Sequence, residues 1–231
     1  CLRSSDTLCA LNAFTNATQY DSQNPANWSA LGMVQLMLDH HDLALASLTK
    51  SIEHGSKWAG DYINRGIIYY RNHNYRSALA DYDKAVSLAP RDAQCYYNRG
   101  VLRQELGDYN RALDDFTQAI NLAPERIELY YQRGMVLLQL RQWQEALNDF
   151  NTIIHRYPYF LPAYYLAAQA ETSLGHGKQA YQLRQQAFQL EQNKDSIQSL
   201  QTDMLVADNQ PQQRDRRKEF SALAAQNQES N

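Results

Sequence analysis

Three consecutive stretches of this chain can be laid over one another without a gap. Residues 59–92 read AGDYINRGIIYYRNHNYRSALADYDKAVSLAPRD, residues 93–126 read AQCYYNRGVLRQELGDYNRALDDFTQAINLAPER, and residues 127–160 read IELYYQRGMVLLQLRQWQEALNDFNTIIHRYPYF. Tyr62, Tyr96 and Tyr130 fall in register, as do Gly66, Gly100 and Gly134, and Ala78, Ala112 and Ala146. Tyr82, Phe116 and Phe150 follow, then Pro90, Pro124 and Pro158. A fixed period of 34 residues constrains the fold strongly. Each unit is then one supersecondary element that buries its apolar face only against its neighbours.

Within 93–126 the spacing predicts two antiparallel helices, from about Gln94 to Leu106 and from about Asn110 to Leu122. In the second, Ala112, Leu113, Phe116, Ala119, Ile120 and Leu122 keep helical spacing. Gly107 and Asp108 make the turn, the glycine supplying a left-handed residue that ends a helix. Pro124 cannot continue a helix and closes the unit. Gly100, Ala112 and Ala119 are small where helices must cross closely. Runs of Val and Ile at strand period are missing, so the expected class is all-α.

The flanking units are weaker. Unit 25–58 keeps Trp28, Leu31, Gly32 and Ala44, with Leu48 and Ser56 in place of the aromatic and the proline. Unit 161–194 keeps Tyr164, Gly175, Ala180 and Ala187, with Ala168 and Gln192 for the glycine and the proline. End units face water on one side and are free to drift. Ala10, Phe14 and Ala17 lie three periods before Ala112, Phe116 and Ala119. Residues 1–24 therefore read as the second helix of a partial preceding repeat, either cut from a longer repeat protein or serving as a half-repeat cap. Residues 195–207 are expected to form a capping helix with Ile197, Leu200 and Met204 on one face. Residues 208–231 read as a polar, mostly mobile tail, with helix only over 214–225.

The order aromatic, glycine, alanine, aromatic, small residue and closing proline resembles the tetratricopeptide repeat (TPR) family. The resemblance implies a right-handed superhelical solenoid of antiparallel helix pairs, whose first helices line a concave groove. It implies a protein–protein interaction scaffold or adaptor that holds a peptide or protein segment there. A non-catalytic module of a larger enzyme or of a transport or assembly machine is the alternative. Carried onto this chain, the groove face holds Tyr97, Tyr131 and Tyr165 in register, with Ile63 one unit earlier. Ile67, Val101 and Met135 lie one turn on, then Tyr70, Gln104 and Leu138, with Asn64, Asn98 and Gln132 beside the tyrosines. Tyrosine offers contact area at low entropic cost, and amides pair with a peptide backbone. Packing between repeats is the competing role for these tyrosines. The lysines of a clamp for chaperone tails are lacking, which favours an apolar or mixed segment. KEFSALAA (218–225), from another copy or folded back, is one candidate, and self-association through the tail or an exposed end helix is the corresponding expectation.

A charged residue also returns with the period. Arg65, Arg99 and Arg133 are each followed sixteen residues later by Asp81, Asp115 and Asp149. Where the arginine is lost the aspartate is lost too: Leu31 goes with Ser47, and Ala167 with Leu183. The midpoint of 99 and 115 is Gly107 at the turn, so the two positions face each other across the hairpin. The expectation is a structural Arg–Asp bridge within each unit.

Other chemistry finds little footing. A net charge of −3 argues against a nucleic-acid surface, which needs a basic stripe. No apolar run is long enough for a membrane span. Cys1, Cys9 and Cys95 include no C-x-x-C pair, and Cys1 and Cys9 lie about 12 Å apart on a helix, too far to bridge. Cys1 as a lipid-bearing mature N-terminus is an alternative that this sequence leaves open. His40, His41, His54, His73, His155 and His176 have no H-E-x-x-H spacing, and no Walker or G-x-S-x-G motif occurs. No metal, no cofactor and no catalysis are expected. The sequons at Asn16 and Asn27 read as chance, and RDRR with Lys218 as a solvated tail.

Overall fold

The computed structural model describes residues 2–192, with side chains from residue 7 onward. Among the described residues there are eleven α-helices and no strand. They run α1 (Leu2–Tyr20), α2 (Pro25–Met37), α3 (His41–Glu53), α4 (Ala59–Arg71), α5 (Tyr75–Leu88), α6 (Ala93–Glu105), α7 (Tyr109–Leu122), α8 (Ile127–Gln139), α9 (Trp143–Arg156), α10 (Leu161–Ser173) and α11 (Gly177–Gln192). The expected capping helix 195–207 and the tail 208–231, with its segments 214–225 and 218–225, lie outside the described residues. The chain divides into two compact units, residues 1–149 and 150–231, and α9 begins in the first and ends in the second.

In the first unit, α2 pairs with α3, α4 with α5 and α6 with α7. Each second helix also meets the next first helix, α3 on α4, α5 on α6 and α7 on α8, and α1 packs on α2. The first helices α4, α6 and α8 touch in sequence. Between the two helices of a hairpin the chain turns through one left-handed residue, and that residue keeps the period: Asp39, His73, Gly107 and Arg141, at φ of 59°, 57°, 76° and 59°. Side chains cap several helix starts. Asn24 accepts from the amide of Ala26, Asn74 from Ser77, Asp92 from Gln94 and Asp108 from Arg111. Each satisfies an amide that the helix cannot.

The core repeats as the sequence does. Ala44, Leu48 and Ile68 form one cluster, Ala78, Tyr82 and Leu102 the next, and Ala112, Phe116 and Val136 a third. Each cluster joins the second helix of one hairpin to the first helix of the following one, so the apolar glue lies between repeats as well as inside them. The close approaches fall at glycine. A Cβ on Gly66 would stand 2.6 Å from the Tyr82 ring, and one on Gly100 3.0 Å from Phe116. The recurring tyrosine also ties a repeat to the preceding turn: the Tyr96 hydroxyl donates to the Pro90 carbonyl at 3.2 Å, and Tyr62 to the Ser56 carbonyl at 3.4 Å.

In the second unit α10 and α11 form a hairpin that turns at Gly175, φ 83°. Ala163, Ala167, Ala168, Ala170, Ala180 and Ala187 fill its interior. The Tyr164 hydroxyl donates to the Pro158 carbonyl at 2.8 Å.

Candidate functional site

Since α6 is packed by α4, α5, α7 and α8, one of its faces stays open, and it carries Gln94, Tyr97, Asn98, Val101 and Gln104, all half-buried. Tyr97 lies against Phe116, ring centroids 6.2 Å apart, and both Tyr97 and Val101 pack on the Ala112–Phe116–Val136 cluster. On α4, Ile67 and Tyr70 pack on the core in the same way, Tyr70 also meeting the Tyr75 ring at 5.8 Å. Asn64 is half-buried. On α8, Tyr131, Gln132 and Met135 are half-buried, whereas Leu138 is buried and offers little surface. Ile67, Tyr70, Tyr97 and Val101 serve packing and surface at once: their inner edges are fixed by the core and their outer edges remain available. Burial, with the carboxylate of Glu105 and the ring of Tyr75, raises the Tyr70 hydroxyl above its ordinary value, so it stays a neutral donor.

Along this face runs a polar chain. Arg126 donates from Nη2 to Gln94 Oε1 at 3.0 Å, and Gln94 Nε2 donates to Asn98 Oδ1 at 3.0 Å. The Arg126 guanidinium also lies 5.7 Å from the Tyr97 ring centroid, and its Nε bonds Glu128 Oε1 at 2.6 Å. The chain ends on Asn98 Nδ2, which is buried and has no hydrogen-bond partner; Gln104 Oε1, on the same helix, is buried and unpartnered as well. Arg126 is absent from the sequence-based candidates because it stands at the N-cap of α8, between helices, where helical periodicity says nothing.

The returning arginines lie elsewhere in the unit. Arg65 forks onto Asp81, Nε to Oδ2 at 2.8 Å and Nη2 to Oδ1 at 2.7 Å. Arg133 does the same to Asp149, at 2.8 and 2.6 Å. Arg99 reaches Asp115 Oδ1 from Nη2 at 2.7 Å, and adds a bond to Asp83 in the preceding hairpin at 2.9 Å. Each bridge therefore joins the two helices of one hairpin, and Arg99 also joins hairpin to hairpin. Burial pulls the Arg99 guanidinium down, but its bonds to Asp115 and Asp83 outweigh that and raise it. Burial pushes the Asp149 carboxyl above its ordinary range against the pull of Arg133.

A fourth buried carboxylate was not singled out by the sequence reading. Asp61, fully buried, accepts hydroxyls from Ser29 at 2.7 Å, Ser51 at 2.7 Å and Ser56 at 2.6 Å, which ties α2, α3 and the following loop to α4. The sequence signal is a serine triplet spread over two helices and a loop, which only the packed hairpin assembles. In the second unit Tyr165 is 44% exposed and its hydroxyl donates to Glu191 Oε2 at 3.3 Å, so it is a surface side chain held by its own hairpin. Among the described residues no helix is long and apolar enough to cross a membrane, and no cluster of three or more His, Cys, Asp or Glu could hold a metal.

Two family models, each described as a tetratricopeptide repeat, match residues 65–127 and 97–159. No curated protein sequence matches the chain significantly. Among solved structures the fold is similar to YrrB, described as a TPR protein with an unusual peptide-binding site, at a TM-score of 0.73 and 22% identity over 84% of this chain and 100% of that one. It is similar to MamA at a TM-score of 0.69 and 20% identity, over 74% of this chain and 94% of that one. It is also similar to the C-terminal part of a TPR repeat-containing protein from Cytophaga hutchinsonii, at a TM-score of 0.70 and 14% identity, over 81% of this chain and 75% of that one.

Proposed function

We propose that the chain, which carries tetratricopeptide repeats over residues 65–159, is a non-catalytic scaffold or adaptor that binds a peptide or protein segment along the open face of α4, α6 and α8. The observation that carries this reading is the polar chain Arg126–Gln94–Asn98, which ends beside Tyr97 on an unpartnered Asn98 Nδ2. A buried donor without a partner costs about 1–3 kcal/mol, and a rotation of the Asn98 amide toward the face, to meet the carbonyl of an extended peptide, would recover it. The Gln104 oxygen, two turns further along α6, suits an amide of the same segment. Tyr97, Tyr131, Val101 and Met135 supply anchors, and Tyr97 and Val101 are already held against the core, so that little of their entropy is lost on binding. Asn64, Ile67, Tyr70 and Gln132 continue the contact on α4 and α8. The Arg126 guanidinium, paired with Glu128, places an ion pair beside the Tyr97 ring, which suits a ligand with polar groups near that position. A second copy offering residues 218–225 is one source of such a segment.

The test is a selection of binders from a random peptide library, followed by affinity measurement on the full chain. A Tyr97→Ala, Tyr131→Ala variant is expected to bind the selected peptides at least about tenfold more weakly while keeping its helical circular dichroism. Unchanged affinity in the folded variant would remove the open face from the account.

A further inference from the structure

Within the first unit a separate hollow of about 640 Å³ opens between α7 and α9, over α8. Its lining includes Asp114 and Thr117 of α7, Arg133 and Leu137 of α8, and Glu145 and Asp149 of α9. It is remote in chemistry from the tyrosine face: the walls are acidic and amide-rich, and the floor is apolar.

The preceding repeat shows what this shape accommodates. Thirty-four residues earlier, the places of Thr117, Arg133, Leu137 and Asp149 are held by Asp83, Arg99, Arg103 and Asp115. There the Arg103 side chain lies inward, only 14% exposed, with Nη1 bonding Asp115 Oδ2 at 2.8 Å and Nη2 at 3.7 Å from Asp83 Oδ1. Asp115 is thus gripped by two guanidinia, those of Arg99 and Arg103. Asp149 has the fork of Arg133, and the second guanidinium's place is taken by Leu137, 4% exposed, which leaves the hollow open above it. The rim has changed in the same sense. Asp114 and Glu145 stand where the earlier repeat has Ala80 and Arg111. Both are exposed, and among the described residues neither forms an ion pair.

We propose that this hollow is a second binding site, which takes the arginine side chain of a partner polypeptide into the place that Arg103 fills one repeat earlier. The guanidinium would approach the carboxylates of Asp149, Asp114 and Glu145, and its methylene stem would lie on Leu137. Arginine is favoured over lysine because a planar fork serves several carboxylate oxygens at once, as it does at Asp115. The site is independent of the tyrosine face, and either can fail without the other.

The experiment uses the full chain with leucine methyls labelled for NMR, titrated with the capped pentapeptide Gly-Gly-Arg-Gly-Gly and with its Lys and Gln counterparts. The arginine peptide is expected to shift the Leu113 and Leu137 methyls saturably, the lysine peptide to bind at least about threefold more weakly, and the glutamine peptide not to bind. Glu145→Lys, at an exposed position, is expected to weaken the arginine peptide about tenfold. Glu53→Lys, an equal change of net charge away from the hollow, is expected to leave it unchanged. Leu137→Arg should fill the hollow as Arg103 does and abolish binding. Equal shifts from the glutamine peptide, equal losses in Glu145→Lys and Glu53→Lys, or undiminished binding in a folded Leu137→Arg would each overturn the proposal. If Leu137→Arg does not fold, the two charge reversals decide.

Discussion

Arg99 divides its three guanidinium nitrogens between Asp115 across its own hairpin, reached from Nε and Nη2, and Asp83 on the one before, reached from Nη1, sixteen residues to either side. The forward contact can be read from the sequence, because the spacing is centred on Gly107 at the turn. The backward one depends on how one hairpin stacks on another, which no pattern inside a single unit reports. These bridges are frame, and their energetic weight shows when they are broken. Arg133→Met would leave the Asp149 carboxyl buried without its counter-charge, and so raise its folded-state pKa further above the unfolded value, ordinarily 3.8. A raised folded pKa favours the protonated carboxyl. The penalty is therefore absent below the unfolded pKa, grows as pH rises through the window between the two values, and is complete above the folded one. The stability gap between wild type and Arg133→Met in urea is expected to be smaller at about pH 5 than at about pH 7. A gap independent of pH would mean that Asp149 is solvated in the variant. At the same scale, Asp61 escaped the sequence reading because its three partners are hydroxyls and leave no charge pattern.

Helices and turns keep the period even where residue types do not. The left-handed turn position is glycine at Gly107 and Gly175 but Asp39, His73 and Arg141 elsewhere. The two glycine turns were legible, since glycine there has one common meaning. The other three were not, because the backbone conformation persists under residues that disfavour it. Glycine therefore acts in two ways here, and one substitution separates them. At Gly107 nothing lies within 4 Å of an added Cβ, so Gly107→Ala is expected to cost about 1 kcal/mol, from conformation alone. Gly107→Asn should cost less, since asparagine tolerates that region. At Gly66 the Tyr82 ring stands 2.6 Å from the added Cβ, so Gly66→Ala should cost about 1–3 kcal/mol and Gly66→Asn more than Gly66→Ala. Thermal or urea unfolding of the four variants checks the opposite orders; the same order at both sites would contradict the division.

For the whole molecule, the fold class was legible because a period constrains every unit together, and the core clusters at 44–48–68, 78–82–102 and 112–116–136 repeat that period in space. The proposed binding face was legible only in part. The rows of tyrosines and amides could be read as a stripe, but which of them the core consumes could not: Leu138 is buried, while Tyr97 and Val101 are pinned from behind. Arg126 lay outside any helical stripe, and it brings a guanidinium, paired with Glu128, to the same face. This face, on α4, α6 and α8, is proposed to receive a polypeptide. Hydrogen–deuterium exchange on the full chain, with and without a saturating library-selected peptide, tests it most directly. Protection is expected over Ala93–Glu105 and Ile127–Gln139, centred on the turns that carry Tyr97 and Tyr131, with residues 109–122 unchanged. Protection confined to 109–122 and 143–149, with α6 and α8 unaltered, would place the ligand elsewhere and contradict the account.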